Sequence, residues 1–177
     1  SNYMKYKDAI PILLHWLPRL SHVAVKEEIV RALTDKQAKP VAAAILIEEF
    51  RRADSSWQSY KWAIGNALSV VADESTRKDI IELVKDRRHG RAREMLAVAL
   101  GNMREAPVDV LIDLLNDDEI AGHALIALGK LRAQKARPHI QRFLRASRTW
   151  IRNEAKRALA KLDKASKNNL PSLEEGD

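Results

Sequence analysis

The amino-acid sequence predicts an all-α fold, a right-handed α-solenoid of about five helix pairs, and three observations lead there. Of 177 residues only 6 are Gly and 6 are Pro. Ala, Leu, Glu, Arg and Lys dominate while runs of Val, Ile and Thr are missing, a composition that favours helix throughout. One apolar pattern recurs five times, and each recurrence follows a second helical segment that commonly opens on Pro.

The pattern aligns on Leu33, Leu68, Leu100, Leu128 and Leu159, spaced 35, 32, 28 and 31 residues apart. One position earlier stand Ala32, Ala67, Ala99, Ala127 and Ala158, and four earlier stand Ile29, Ile64, Leu96, Ala124 and Ala155. Eight earlier come Val25, Tyr60, Ala92, Ile120 and Ile151; three later come Lys36, Val71, Met103, Leu131 and Leu162. Offsets −8, −4, −1, 0 and +3 fall on one stripe of a helix with 3.6 residues per turn. The second helix of each pair therefore covers 25–36, 60–71, 92–103, 120–131 and 151–162.

The first helix of each pair opens near Pro11, Pro40, Asp79, Pro107 and Pro138. A first-turn Pro gives up only an N–H that has no partner inside the helix. Ser75 and Thr76 are N-cap candidates ahead of Asp79, and Asn116 with Glu119 has the spacing of a capping box. The second pair is longer than the others, which places an insertion within 51–60 carrying Trp57 and Tyr60. Trp57 there either anchors a ligand or folds back between the second and third pairs.

The closest copies, Ile151-Arg152-Asn153-Glu154-Ala155-Lys156-Arg157-Ala158-Leu159-Ala160 and Ile120-Ala121-Gly122-His123-Ala124-Leu125-Ile126-Ala127-Leu128-Gly129, resemble the HEAT repeat, in the variety found in phycobilisome-lyase-like proteins. The likeness covers roughly 5–164. It implies a stack in which each pair buries its apolar face only against its neighbours, first helices forming the convex layer and second helices the concave one. It also implies a cation beside the −8 position, which stands here as Lys26, Lys61, Arg93 and Arg152 and is replaced by Ala121 in the fourth copy. The acid that would face it from the preceding turn is mostly absent, so no Asp–Arg ladder is expected. Segment 1–4 reads as a tag remnant or N-terminal extension, with Ser1 and Asn2 as its scar. Segment 165–177 lacks periodicity and reads as a disordered tail.

Composition narrows the chemistry. The chain has no Cys, which removes disulfides, thiolate metal sites and thiol nucleophiles and agrees with a reducing, cytoplasmic setting. No apolar run approaches the 18 or so residues of a membrane span. His15, His22, His89, His123 and His139 form no ligand spacing, and no phosphate-binding or nucleophile motif is present. Asp117, Asp118 and Glu119 suit a helix start, where the macrodipole favours acids. The expectation is a non-enzymatic chain without cofactor or metal. HEAT-like alkylpurine DNA glycosylases place a catalytic Asp among Trp residues, and the corresponding row here offers only Glu27 and Glu94.

That row consists of offsets −6 and −2, which point away from the buried stripe into the concave groove: Glu27 and Arg31, Trp62 and Asn66, Glu94 and Val98, Gly122 and Ile126, Asn153 and Arg157. Trp62, Val98 and Ile126 form an apolar line with Trp150 near its end, which reads either as a partner-binding groove or as packing between pairs. The candidate site is thus Trp62, Asn66, Glu94, Val98, Ile126, Trp150, Asn153 and Arg157. Charge is concentrated separately. Segment 132–167 holds twelve basic and two acidic residues, a net +10 in a chain whose total is +7. Its candidate patch is Arg142, Arg145, Arg148, Arg152 and Lys156, read as a solubilising cap, a surface for an acidic protein, or a nucleic-acid contact. A smaller cluster, Lys85, Arg87, Arg88, His89, Arg91 and Arg93, either extends that track or solvates a turn. The leading expectation is a scaffold that binds another protein in its groove, with nucleic-acid binding second and the oligomeric state open.

Overall fold

The computed structural model describes residues 6–168, and among them all regular structure is helical. The α-helices are α1 (Tyr6–Trp16), α2 (Val23–Ala32), α3 (Val41–Arg52), α4 (Gln58–Val71), α5 (Arg77–Lys85), α6 (Glu94–Gly101), α7 (Val108–Leu114), α8 (Ala121–Leu131), α9 (Arg137–Gln141) and α10 (Thr149–Asn168). The even-numbered helices pack one on the next in chain order, and α3, α5, α7 and α9 each pack on the helix that follows. Two helical layers result. Leu46, Phe50, Ile80, Leu111 and Ile140 from one layer meet Ile64, Leu96, Leu125 and Ala155 from the other in a single core.

In α4, α6 and α8 the periodic stripe is buried as its spacing predicts: Leu68, Leu100 and Leu128 are fully enclosed. The end helices differ. In α2, Val25 is 46% exposed, and Ala32 and Lys36 are exposed too, while Lys26, Val30 and Leu33 point inward. In α10, Leu159 is half-buried. An end helix has a neighbour on one side only, so part of its stripe has nothing to bury against. Small residues permit the close approach elsewhere: a Cβ added at Gly129 would lie 2.8 Å from Ala158 Cα.

Connections are built on aspartates. The carboxylates of Asp35, Asp54, Asp73, Asp86 and Asp117 accept the N–H two residues on, from Gln37, Ser56, Ser75, Arg88 and Glu119. This is the Asx turn. It displaces two expected caps. Thr76 precedes α5 without capping it through its side chain, and Asn116 and Glu119 form no capping box: Asn116 accepts from Arg142 and the Glu119 carboxylate from Arg93.

Pro40 and Pro107 stand immediately before α3 and α7, and Pro138 lies in the first turn of α9. Pro11 departs from expectation because α1 starts before it and holds it in its interior. The extra length of the second pair forms the connection 53–57, in which Trp57 is half-buried against the core, its ring edge-on to that of Tyr60 at 6.2 Å. Helix α10 continues through 165–168, past the expected boundary of the tail, whereas 1–5 and 169–177 lie outside the described residues. Among the described residues no helix is long and apolar enough to cross a membrane.

Candidate functional site

The junctions between pairs orient the even-numbered helices. Lys26, Lys61 and Arg93, all seven positions before an anchor Leu, are buried. Each reaches an acidic or polar group of the following pair. The Lys26 ammonium lies 2.6 Å from Glu49 Oε2, which also accepts from Tyr60 Oη at 2.6 Å. Lys61 Nζ lies 2.9 Å from His89 Nδ1, whose Nε2 faces Asp86. Arg93 is 0% exposed; it donates to Asp117 and Glu119 at 2.8 and 2.7 Å and to the carbonyls of Val84 and Gly90 at 3.1 and 2.8 Å. Gly90 has φ +54°, a conformation that strains any residue with a Cβ, and so turns its carbonyl without penalty.

Buried cations therefore meet carboxylates at the first and third junctions, and at the second His89 stands between Lys61 and Asp86, so a polar ladder runs where none was expected. Its acids come from the next pair, at offsets that vary with the length of each turn. The expected basic cluster 85–93 is dispersed by the same contacts: Arg93 is buried, Arg88 pairs with Asp86, Arg91 with Glu94, and His89 packs edge-on against Phe50.

Trp62 and Trp150 are 42% and 40% exposed. Val98 and Ile126, on the intervening helices α6 and α8, are half-buried, as is Asn66. Trp150 lies across Gly122, where a Cβ would fall 1.9 Å from Cη2. Glycine at the fourth −6 position is what admits the indole. The Trp150 ring also meets His123 edge-on at 5.8 Å. Glu94 is a correction. It is 6% exposed rather than open to solvent, because Arg91 Nε donates to it at 2.8 Å and His123 Nε2 lies 3.9 Å away, and it borders the groove only as part of the wall beside Trp62. A cavity of about 550 Å³ lined by Trp62, Gly90, Arg91, Glu94 and Glu119 opens beside Trp62.

Charges on this face neutralise one another locally. Glu27 pairs with Arg31, Arg91 with Glu94 and Glu154 with Arg157. Ser59 donates to Glu27 at 3.0 Å, and Asn102 donates to the Ser69 carbonyl at 2.7 Å while accepting from Lys130. Asn153 and Arg157 are exposed on α10. Among the described residues these pairs interrupt the positive charge along this face, where a nucleic-acid backbone calls for a continuous track.

The expected basic patch divides. Arg152 is half-buried and tied down, both the Ala146 and Ser147 carbonyls accepting from its Nη1 at 2.7 Å, so it is not a free surface cation. Arg142 donates to the Leu115 carbonyl and to Asn116 Oδ1, and Arg148 to the Asp118 carbonyl. Arg145 and Lys156 are exposed. Sequence reasoning missed Asp86 and took Asp117 only for a helix-start acid, whereas both close turns by accepting the N–H two residues on.

Two imidazoles titrate below their ordinary value. Burial does this to His89, reinforced by the Lys61 ammonium, and burial does it to His123 against the opposing pull of Glu94. The unfolded chain protonates both near pH 6.5 and the fold only at lower pH, so acidification favours the unfolded state in that window. The urea midpoint is expected to be level above pH 7 and to fall from pH 6.5 downward, the fall being shallower in His123→Phe. A midpoint that rose on acidification there would rule out neutral buried imidazoles.

Compared with known proteins, the chain matches no family model and no curated protein sequence.

Proposed function

We propose that the chain is a right-handed α-solenoid of HEAT-like repeats that acts without catalysis, as a scaffold holding a protein partner along the face of its even-numbered helices. One observation carries this reading. Trp62 and Trp150, two large apolar side chains left about two-fifths exposed, flank half-buried Val98 and Ile126 on consecutively packed helices. Exposed aromatic residues beside aliphatic ones are the usual centre of a desolvated interface. A partner helix or extended segment fits such a face better than a nucleic acid does, because the charges around it are paired rather than uniformly positive.

Trp62→Ala and Ile126→Ser test the proposal. Neither side chain is enclosed, so both variants are expected to melt within a few degrees of the parent. Truncating an interface anchor typically costs about 2 kcal/mol or more of binding, so each should lose the partners that the parent chain captures from nuclease-treated lysate. Retained capture, or a large drop in melting temperature, would mean that these residues serve packing between pairs. Capture that vanished with nuclease treatment would favour nucleic acid instead.

A further inference from the structure

The junction between the fourth and fifth pairs breaks the rule set by the first three. There the buried cation seven positions before the anchor Leu is Ala121, and the facing turn, Ala146-Ser147-Arg148, carries no acid. The space is open as a cavity of about 590 Å³ walled by Leu115, Ala121, Phe143 and Ile151 and by Arg142, Arg145 and Arg148. Polarity is inverted: at the first three junctions the following pair brings a carboxylate or an imidazole to a cation, here it brings guanidinium groups to a gap.

Two of the three arginines are held in place. Arg142 is fixed by the Leu115 carbonyl at 3.1 Å and Asn116 Oδ1 at 2.7 Å, and Arg148 by the Asp118 carbonyl at 2.6 Å. Each uses one Nη2 for this and keeps other N–H donors for the cavity. Arg145 makes no hydrogen bond or ion pair among the described residues. Ser147 also lines the cavity. Arg152 ties the carbonyls of Ala146 and Ser147 together, so the turn is rigid before anything binds. Helix α10 starts directly after it, and its first intrahelical bond of this turn is from Arg152 N to the Arg148 carbonyl. The amides before Arg152 add positive potential at the same end. Asp118 is the only acid among the lining residues.

We propose that this cavity is a binding site for a phosphomonoester dianion, the arginines taking the phosphoryl oxygens and the wall of Leu115, Phe143 and Ile151 taking the attached carbon chain. Preorganised guanidinium forks match a tetrahedral dianion with three acceptor oxygens better than a single carboxylate. The volume exceeds that of a phosphate ion, which leaves room for what the phosphate is attached to. An isolated cluster of this kind fits one discrete anion rather than a polyanion, which needs positive charge repeated along a track. The site lies apart from Trp62 and does not depend on what binds there.

The test is calorimetric titration of the full chain with a phosphoserine peptide, its unphosphorylated twin, inorganic phosphate and a single-stranded oligonucleotide. The phosphopeptide is expected to bind at least about tenfold more tightly than its twin, and inorganic phosphate to compete with it. A phosphopeptide stronger than inorganic phosphate identifies a phosphorylated side chain as the source, and equal strength identifies a free phosphorylated small molecule; both support the site. Arg145→Ala should weaken phosphopeptide binding about tenfold, the loss of one charge-assisted hydrogen bond, with an unchanged unfolding midpoint because Arg145 supports nothing else. Asp118→Asn should strengthen it severalfold by removing a like charge from the wall. Equal binding of the two peptides, no binding of any probe, or affinities untouched by both substitutions would overturn the proposal. So would an oligonucleotide that binds most tightly and loses that binding in Arg145→Ala.

Discussion

Replacing Arg93 with Ala is expected to lower the unfolding free energy by about 3–5 kcal/mol, more than any surface substitution in the chain. The guanidinium is wholly enclosed and satisfies two carboxylates and two main-chain carbonyls at once. Truncation leaves Asp117 nearly buried with only the largely exposed Arg87, 3.5 Å away, to face its charge. Burial works to raise the Asp117 carboxyl, and the Arg93 hydrogen bond, with the Glu119 N–H and the charges of Arg93 and Arg87, together outweighs it and holds the group below its ordinary value. The penalty therefore falls on the partner left behind more than on the lost contact. Urea unfolding followed by circular dichroism measures it, and the double variant Arg93→Met with Asp117→Asn should recover a substantial part. A loss below about 1 kcal/mol for Arg93→Ala would mean that water reaches Asp117 and that the ladder adds little.

Leu128→Ala is expected to cost about 2–5 kcal/mol, the range for deleting an enclosed Leu and leaving a cavity. Leu128 is fully buried on α8, which packs against both α6 and α10, so neither flanking helix can close the gap without losing its other contacts. The equivalent substitution at Leu159 should cost clearly less, since that side chain is half-buried on the last helix. Thermal or urea midpoints for the two variants decide the matter. Equal losses would show that the end helix is as constrained as an interior one.

Much of this fold was legible because it rests on a local signal. Apolar residues at offsets −8, −4, −1, 0 and +3 report helical period whatever the helix packs on, and they located α4, α6 and α8 together with their buried face. The same signal misled at the ends, where Val25 and Leu159 keep the pattern but lack a neighbour to bury against. At the candidate site Trp62, Val98 and Ile126 follow from the opposite offsets. Glu94 occupies such an offset too, yet Arg91 and His123 enclose it.

Helical composition, the repeated apolar stripe, the small residues beside it and the excess of charge in 132–167 were determined by the sequence alone, because each depends on residue identity and near-neighbour spacing. Partnership across junctions was decided only by tertiary structure. Glu49, Asp86 and Asp117 stand 19, 14 and 11 positions before their anchor leucines, so no fixed spacing shows which cation each acid faces. Whether an arginine is a surface charge or a buried strut likewise depends on what the next pair presents to it. Arg152 found carbonyls, Arg93 found carboxylates, and Arg145 found neither. A buried charge persists only where another element supplies its counter-charge or hydrogen bonds, and that condition is met in space rather than along the chain.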